Sequence, residues 1–151
     1  LDISNIRTVT KPWGYEKWIS NGAPDFKYVL KEIFYRSQFR TSIQVHKFKE
    51  ETHYVLSGRG TLFYSQEIFD VEKYEKGNYT QDEIKKFILE LKKEEITVGK
   101  VVHTKPGCIH RIEALEDLTI IESSTIELDD IIRLEDDTGR KNGRIESEHS
   151  T

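Results

Sequence analysis

The chain has a single cysteine, Cys108, among its 151 residues. An internal disulfide is therefore excluded, which fits a reducing compartment, and we expect a cytoplasmic protein. No stretch approaches the roughly 20 apolar residues of a membrane span. The opening LDISNIRTVTKPWGYEKW also lacks the apolar run of a signal peptide. No block of lysine or arginine stands out, and the net charge is −4 with a pI of about 5.8. Nucleic acid is thus not an expected partner, and neither is a membrane. The acidic balance leaves an anionic substrate open, because local arginines and lysines decide that. There is no internal repeat and no sign of a second domain.

What is present suits one soluble domain with one core. Hydrophobic residues make up 36%, charged residues 33% and aromatics 11%. TVTKPWGYEKWISN reads as strand, bend and strand around Pro12 and Gly14, and residues 23–26 as a turn. KYVLKEIFYR, residues 27–36, is β-branched and aromatic enough for a strand. In TSIQVHKF, Ile43 and Val45 share one face while Gln44 and His46 share the other. THYVLSGRGTLFYS reads as two strands meeting at Gly58 and Gly60. Repeated short strands with glycine turns predict an all-β sandwich or barrel.

Residues 66–95 break that rhythm and look like an insertion. Thr80 and Glu83 have capping-box spacing, and Ile84, Phe87, Ile88 and Leu91 fall on one helical stripe. A helix is predicted over 81–93, the rival being a hairpin built on FILEL. Residues 141–151 are polar and are expected to form a solvated tail to a domain over 1–140.

Two segments carry candidate chemistry. Gln44 and His46 project from one strand, and Glu51 follows a turn into the next, where adjacent antiparallel strands bring side chains together. KPGCIHR supplies His110 after a Pro-Gly turn. Imidazole, amide and carboxylate form a mixed N/O set suited to Zn²⁺, Fe²⁺, Mn²⁺ or Ni²⁺. The alternative is a set of hydrogen-bonded polar residues in a barrel without metal. His53 shares parity with Glu51, so it is a ligand, an acid/base or pocket filling. Arg111 and Lys105 flank His110 and either hold a phosphate or carboxylate or are solvated strand ends. Lys49 is read as facing water on its turn. His103 is left open as a barrel-lining residue, and Cys108 is read as a small buried side chain.

These segments resemble the two motifs of the cupin superfamily. The first, H-x-H-x₄-E-x₆-G, is matched by Gln44, His46, Glu51 and Gly58, with Gln in the first His place. The second, G-x₅-P-x-G-x₂-H-x₃-N, is matched by Gly99, Gly107 and His110, with Lys105 and Ala114 replacing Pro and Asn. Within the superfamily the chain is most similar to the C-terminal domain of type II mannose-6-phosphate isomerases. The matching stretches are KPWGYE (11–16), SIQVH (42–46), YVLSG (54–58), HRIEA (110–114) and DDIIRLEDDTGR (129–140). It departs from them at Phe48, Lys49, Thr52 and His53.

The resemblance implies a jelly-roll-like double-stranded β-helix with one short helical insertion, and a homodimer. It implies a divalent metal, zinc first, held by Gln44, His46, Glu51 and His110. His53, Arg111 and Lys105 would then be the catalytic residues. The implied activity is isomerisation or epimerisation of a sugar phosphate or nucleotide sugar, in the manner of mannose-6-phosphate isomerase. A non-catalytic sugar-binding or regulatory cupin is the alternative, and a metal dioxygenase is a third. In Arg133, Asp136, Asp137 and Arg140, a salt-bridge lock and a substrate contact remain equally open.

Overall fold

The fold is that of a computed structural model, which describes residues 6–22 and 26–149. The turn expected over 23–26 lies mostly outside the described residues.

Eleven strands run through the described residues: β1 (Arg7–Lys11), β2 (Gly14–Asn21), β3 (Val29–Tyr35), β4 (Ile43–Val45), β5 (Glu51–Ser57), β6 (Arg59–Tyr64), β7 (Lys92–Thr97), β8 (Val101–Thr104), β9 (His110–Ala114), β10 (Leu118–Ser124) and β11 (Ile132–Glu135). Three short helices join them: α1 (Val71–Glu75), α2 (Gln81–Leu89) and α3 (Glu146–His149). None of these helices is long and apolar enough to cross a membrane.

The strands form two antiparallel sheets, ordered β1-β2-β3-β10-β5-β8 and β11-β4-β9-β6-β7. Alternation decides which side chains enter the space between them. β3 buries Val29, Lys31, Ile33 and Tyr35, and the residues between are only half-buried. On β5 the buried positions are Glu51, His53 and Val55. At one end the interior is apolar, with Val55, Leu62, Ile96, Ile112, Leu118 and Ile120 in one cluster. Trp13 stacks on Tyr35 at 4.5 Å between ring centroids and floors that cluster.

Two glycines fix strand connections that bear on the site. Gly58 has φ +86°, and a Cβ there would lie 2.0 Å from the Asp117 carbonyl oxygen, so only glycine fits the β5–β6 turn. Gly107 has φ +81° and a neighbour, Ile68 Cγ2, 2.8 Å from where a Cβ would be. Its N–H donates to the His46 carbonyl at 2.9 Å, which ties the turn before His110 to the end of β4.

The insertion differs from its expected form. The capping box of Thr80 and Glu83 is present, but α2 ends at Leu89, and residues 92–97 pair with β6 as β7 rather than extending the helix. The helical periodicity extends to Leu91, but the strand is nearly all charged, with Ile96 its one buried side chain, so it shows little strand signal. A second helix, α1, capped by Asp70, precedes α2. Ile84, Phe87, Ile88 and Leu91 pack with Ile43, Val45, Phe69 and Ile109 in a second apolar cluster. Because Ile43 and Val45 alternate with Gln44, the insertion covers the outer face of the five-stranded sheet.

The expected tail is also different. Glu148 in α3 pairs with Lys11 at 2.7 Å and with Arg140 at 2.8 Å. His149 meets Trp18 edge-on, with ring centroids 5.4 Å apart. The stretch up to His149 is therefore a strap against the barrel, held by charge pairs that a polar composition does not reveal.

Candidate metal centre

The other end of the barrel interior is polar. Glu51 and His53 enter from β5, His110 from β9, Gln44 from β4, and His46 lies one residue beyond β4. Strand pairing places His110 opposite Gln44 and His53 opposite Glu122. All six line one cavity of about 90 Å³.

His46 and His110 each have Nδ1 committed to the backbone. His46 Nδ1 donates to the Asp130 carbonyl at 2.5 Å, and His110 Nδ1 to the Cys108 carbonyl at 3.0 Å. Both Nε2 lone pairs are thereby left facing inward. Glu51 Oε1 lies 3.6 Å from His46 Nε2 and 3.3 Å from His110 Nε2. Two ligands about 2.1 Å from a tetrahedral ion would sit about 3.4 Å apart, so the three atoms fit a divalent cation. His46 Nε2 is buried and has no hydrogen-bond partner, as expected of a ligand atom and costly otherwise. The residues present therefore fit a metal.

Glu51 is ionised for that role. Burial alone would raise its pKa, but the Lys49 ammonium and His53 outweigh this and hold it well below the ordinary carboxylate range. Gln44 stands at the edge of the group, its Nε2 3.2 Å from His110 Nε2 and its Oε1 accepting from Ser42 Oγ at 3.1 Å. A half-turn of the amide exchanges the two atoms and presents oxygen to the same space.

Beside the triad runs a buried chain of charges. His53 Nε2 lies 2.9 Å from Glu122 Oε1. Lys49 Nζ lies 3.0 Å from Glu51 Oε2 and 3.4 Å from Glu122 Oε2. Lys31 joins Glu122 to Glu16, which also accepts from Trp18 Nε1 at 2.8 Å. Burial would lower the His53 pKa, but Glu51 and Glu122 overcome it and raise it. Burial would raise that of Glu16, but Lys31 and Lys11 bring it down to about 2. Glu51, His53 and Glu122 form a second group of atoms close enough together to hold an ion.

Several residues fall elsewhere than expected. Lys49 is buried, 6% exposed, because the turn folds its ammonium back onto Glu51. Arg111 follows His110 and so points the other way. Its Nε donates to the Thr41 carbonyl at 2.8 Å and its Nη2 lies 3.4 Å from Asp137, outside the cavity. Lys105 is exposed and does not line the cavity. His103 is on the outer surface, between Thr52 and Glu50. Burial raises the Cys108 thiol, which keeps it protonated and a poor nucleophile.

The sequence reading passed over Asp130. Its carboxylate accepts from the backbone N–H of Lys47, Phe48 and Lys49 at 3.0, 2.6 and 2.9 Å, while its carbonyl orients His46. Burial opposes ionisation of Asp130, but those three donors outweigh it and depress its pKa. It lies in the DDIIR stretch, and its distance of more than 80 residues from His46 hides the contact.

No family profile and no curated sequence matches the chain. Solved structures do match it, and they are cupin-type proteins: the barrel of this chain is a cupin barrel. Capsular polysaccharide assembling protein CapF of Staphylococcus aureus superposes with a TM-score of 0.61 at 17% identity, over 86% of this chain and 34% of its own. This chain thus spans about a third of CapF. KdgF of Halomonas sp. gives 0.55 at 13% identity, over 80% of this chain and 86% of its own. An Acidithiobacillus ferrooxidans protein described only by name as a sugar phosphate isomerase gives 0.51 at 20% identity, over 78% of this chain and 64% of its own. The structural neighbours therefore include sugar-related enzymes.

Proposed function

We propose that the chain is a metal-dependent isomerase or epimerase of a sugar phosphate or nucleotide sugar, acting in the manner of mannose-6-phosphate isomerase. The observation that carries this reading is the convergence of His46 Nε2, His110 Nε2 and Glu51 Oε1 in one cavity beside the His53–Glu122 pair. The sugar phosphate isomerase and CapF among the structural neighbours support a sugar ligand.

His46, Glu51 and His110 would hold the ion, with the Gln44 amide as a fourth donor. Two nitrogens and a carboxylate suit zinc, and also iron, manganese and nickel. Held there, such an ion would supply Lewis acidity to a sugar oxygen during deprotonation of a neighbouring C–H. His53 holds a proton at Nε2 against Glu122, and its Nδ1 is without a partner, so the pair can take up and return a proton inside the barrel. Asp130 fixes the His46 ring, and Lys49 keeps Glu51 charged.

Ligand pockets usually enclose about 300–1,000 Å³. The cavity here holds about 90 Å³ and is walled on one side by Gly143, Arg144, Ile145 and His149. A sugar phosphate is larger than this cavity, so the pocket must widen to admit one. A non-catalytic sugar-binding cupin is the second reading, favoured by Lys49, which occupies Glu51 Oε2. Turnover of hexose phosphates with added Zn²⁺, Mn²⁺ or Fe²⁺ separates the two. Metal-dependent turnover lost in His53→Gln supports the isomerase, and metal and sugar binding without turnover supports the binding module.

A further inference from the structure

Arg133 differs from the other cations on the cavity wall. Lys11, Lys31, Lys49, Arg140 and Arg144 each face a carboxylate within 3.0 Å. Arg133 makes no ion pair with a carboxylate among the described residues, although Glu148, Asp136 and Glu16 act on it through space. Its Nη1 donates only to the backbone carbonyls of Lys141 and Gly143, and its Nε is buried with no acceptor. A buried guanidinium donor left unpaired is costly, and that cost is removed when an oxyanion arrives.

Register aims this side chain at the site. Arg133 on β11 is the direct cross-strand partner of Gln44 on β4. Directly opposed residues project to the same face, about 5 Å apart at Cβ. Gln44 points inward to His110, and both Arg133 and Gln44 line the cavity. The Arg133 side chain therefore lines the same cavity as the triad. Arg111, the residue that adjacency to His110 suggested for this task, faces away.

We propose that Arg133 is the anion-docking residue of this cavity, receiving a phosphate or carboxylate group of the ligand through its free Nε–H and guanidinium edge. This rests on the reading of the cavity as a ligand site, but not on any metal being bound. It makes Arg133 a specificity-determining residue, so that neutral sugars bind more weakly than their phosphorylated or acidic counterparts.

The test is titration of the full, metal-free chain with inorganic phosphate and, separately, with acetate at constant ionic strength. The Arg133 Nε–H resonance of the ¹⁵N-labelled protein, assigned without mutation, reports the site directly. Saturable shifts of that signal are expected, with the tighter anion showing which ligand group the site takes. Arg133→Gln should weaken binding by about tenfold or more. Arg133→Lys should retain part of it, and Lys86→Gln on α2 should match the parent. Because the titration is run without metal, a failed metal site leaves the anion result standing, and a failed anion site leaves metal binding unaffected, so the two failures give different results. An Nε–H signal unmoved by either anion, or an Arg133→Gln affinity within about twofold of the parent, overturns the proposal.

Discussion

The two ends of the barrel interior are built from the same strands and differ in nearly every inward side chain. β5 passes from Glu51 and His53 to Val55, β9 from His110 to Ile112 and Ala114, and β10 from Glu122 to Ile120 and Leu118. The cross-strand row Val55–Ile120–Ile33 is apolar, and the next row, His53–Glu122–Lys31, is charged. Burying ions costs several kcal/mol each before pairing returns it, and apolar replacements of such pairs are often neutral or stabilising. The apolar end is thus the part that stabilises the barrel. The charged end is the part whose composition stability alone does not explain, which is what a functional site looks like.

Substitutions can break this division of labour. The largest effect is expected from His110→Ala, which should weaken zinc or manganese binding by more than about a hundredfold in titration calorimetry while leaving the fold intact. Lys31→Met leaves Glu16 and Glu122 facing one another without their shared cation, and should cost about 3–5 kcal/mol in urea denaturation. Ile120→Ala at the apolar end should cost about 2–5 kcal/mol, with metal affinity of the folded protein unchanged. If Ile120→Ala instead altered metal binding, the two ends would not be separable.

Smaller effects sharpen the division. Asp130→Asn should lower metal affinity by about 10–100-fold, through the turn that holds His46. Acid should act through Glu16, whose pKa falls from 4.5 to about 2 on folding. Its contribution to stability is present above about pH 4.5 and disappears as pH falls towards 2. Melting temperature should drop over that window, and less so in Glu16→Gln. Glu148→Gln removes charge from the pairs to Lys11 and Arg140, and should speed hydrogen exchange over 144–149 without changing β3 or β10.

The β-barrel and the meeting of His46, Glu51 and His110 were largely legible in the sequence. Alternation through SIQVH put Gln44 and His46 on one face, and the resemblance of the spacing through Glu51, Gly58 and His110 to the cupin motifs carried the barrel. Parity also placed His53 inward. The same rule, applied between His110 and Arg111, would have turned Arg111 away from the cavity. Lys49 looked like a turn residue because the fold-back onto Glu51 depends on Asp130, more than 80 residues on. Arg133 needs the β11–β4 register, which no local pattern records. β7 was hidden because five of its six residues face water or lie at its edge. The strap was hidden because its anchors, Lys11 and Glu148, lie at opposite ends of the chain.

The central claim is that His46, Glu51 and His110 hold one divalent cation. Zinc titration of the purified chain, with the ion located by anomalous scattering, tests it most directly. One ion per chain between those three side chains, lost in Glu51→Gln and His110→Ala, is the predicted result. No stoichiometric binding, or binding unchanged in both variants, would contradict it.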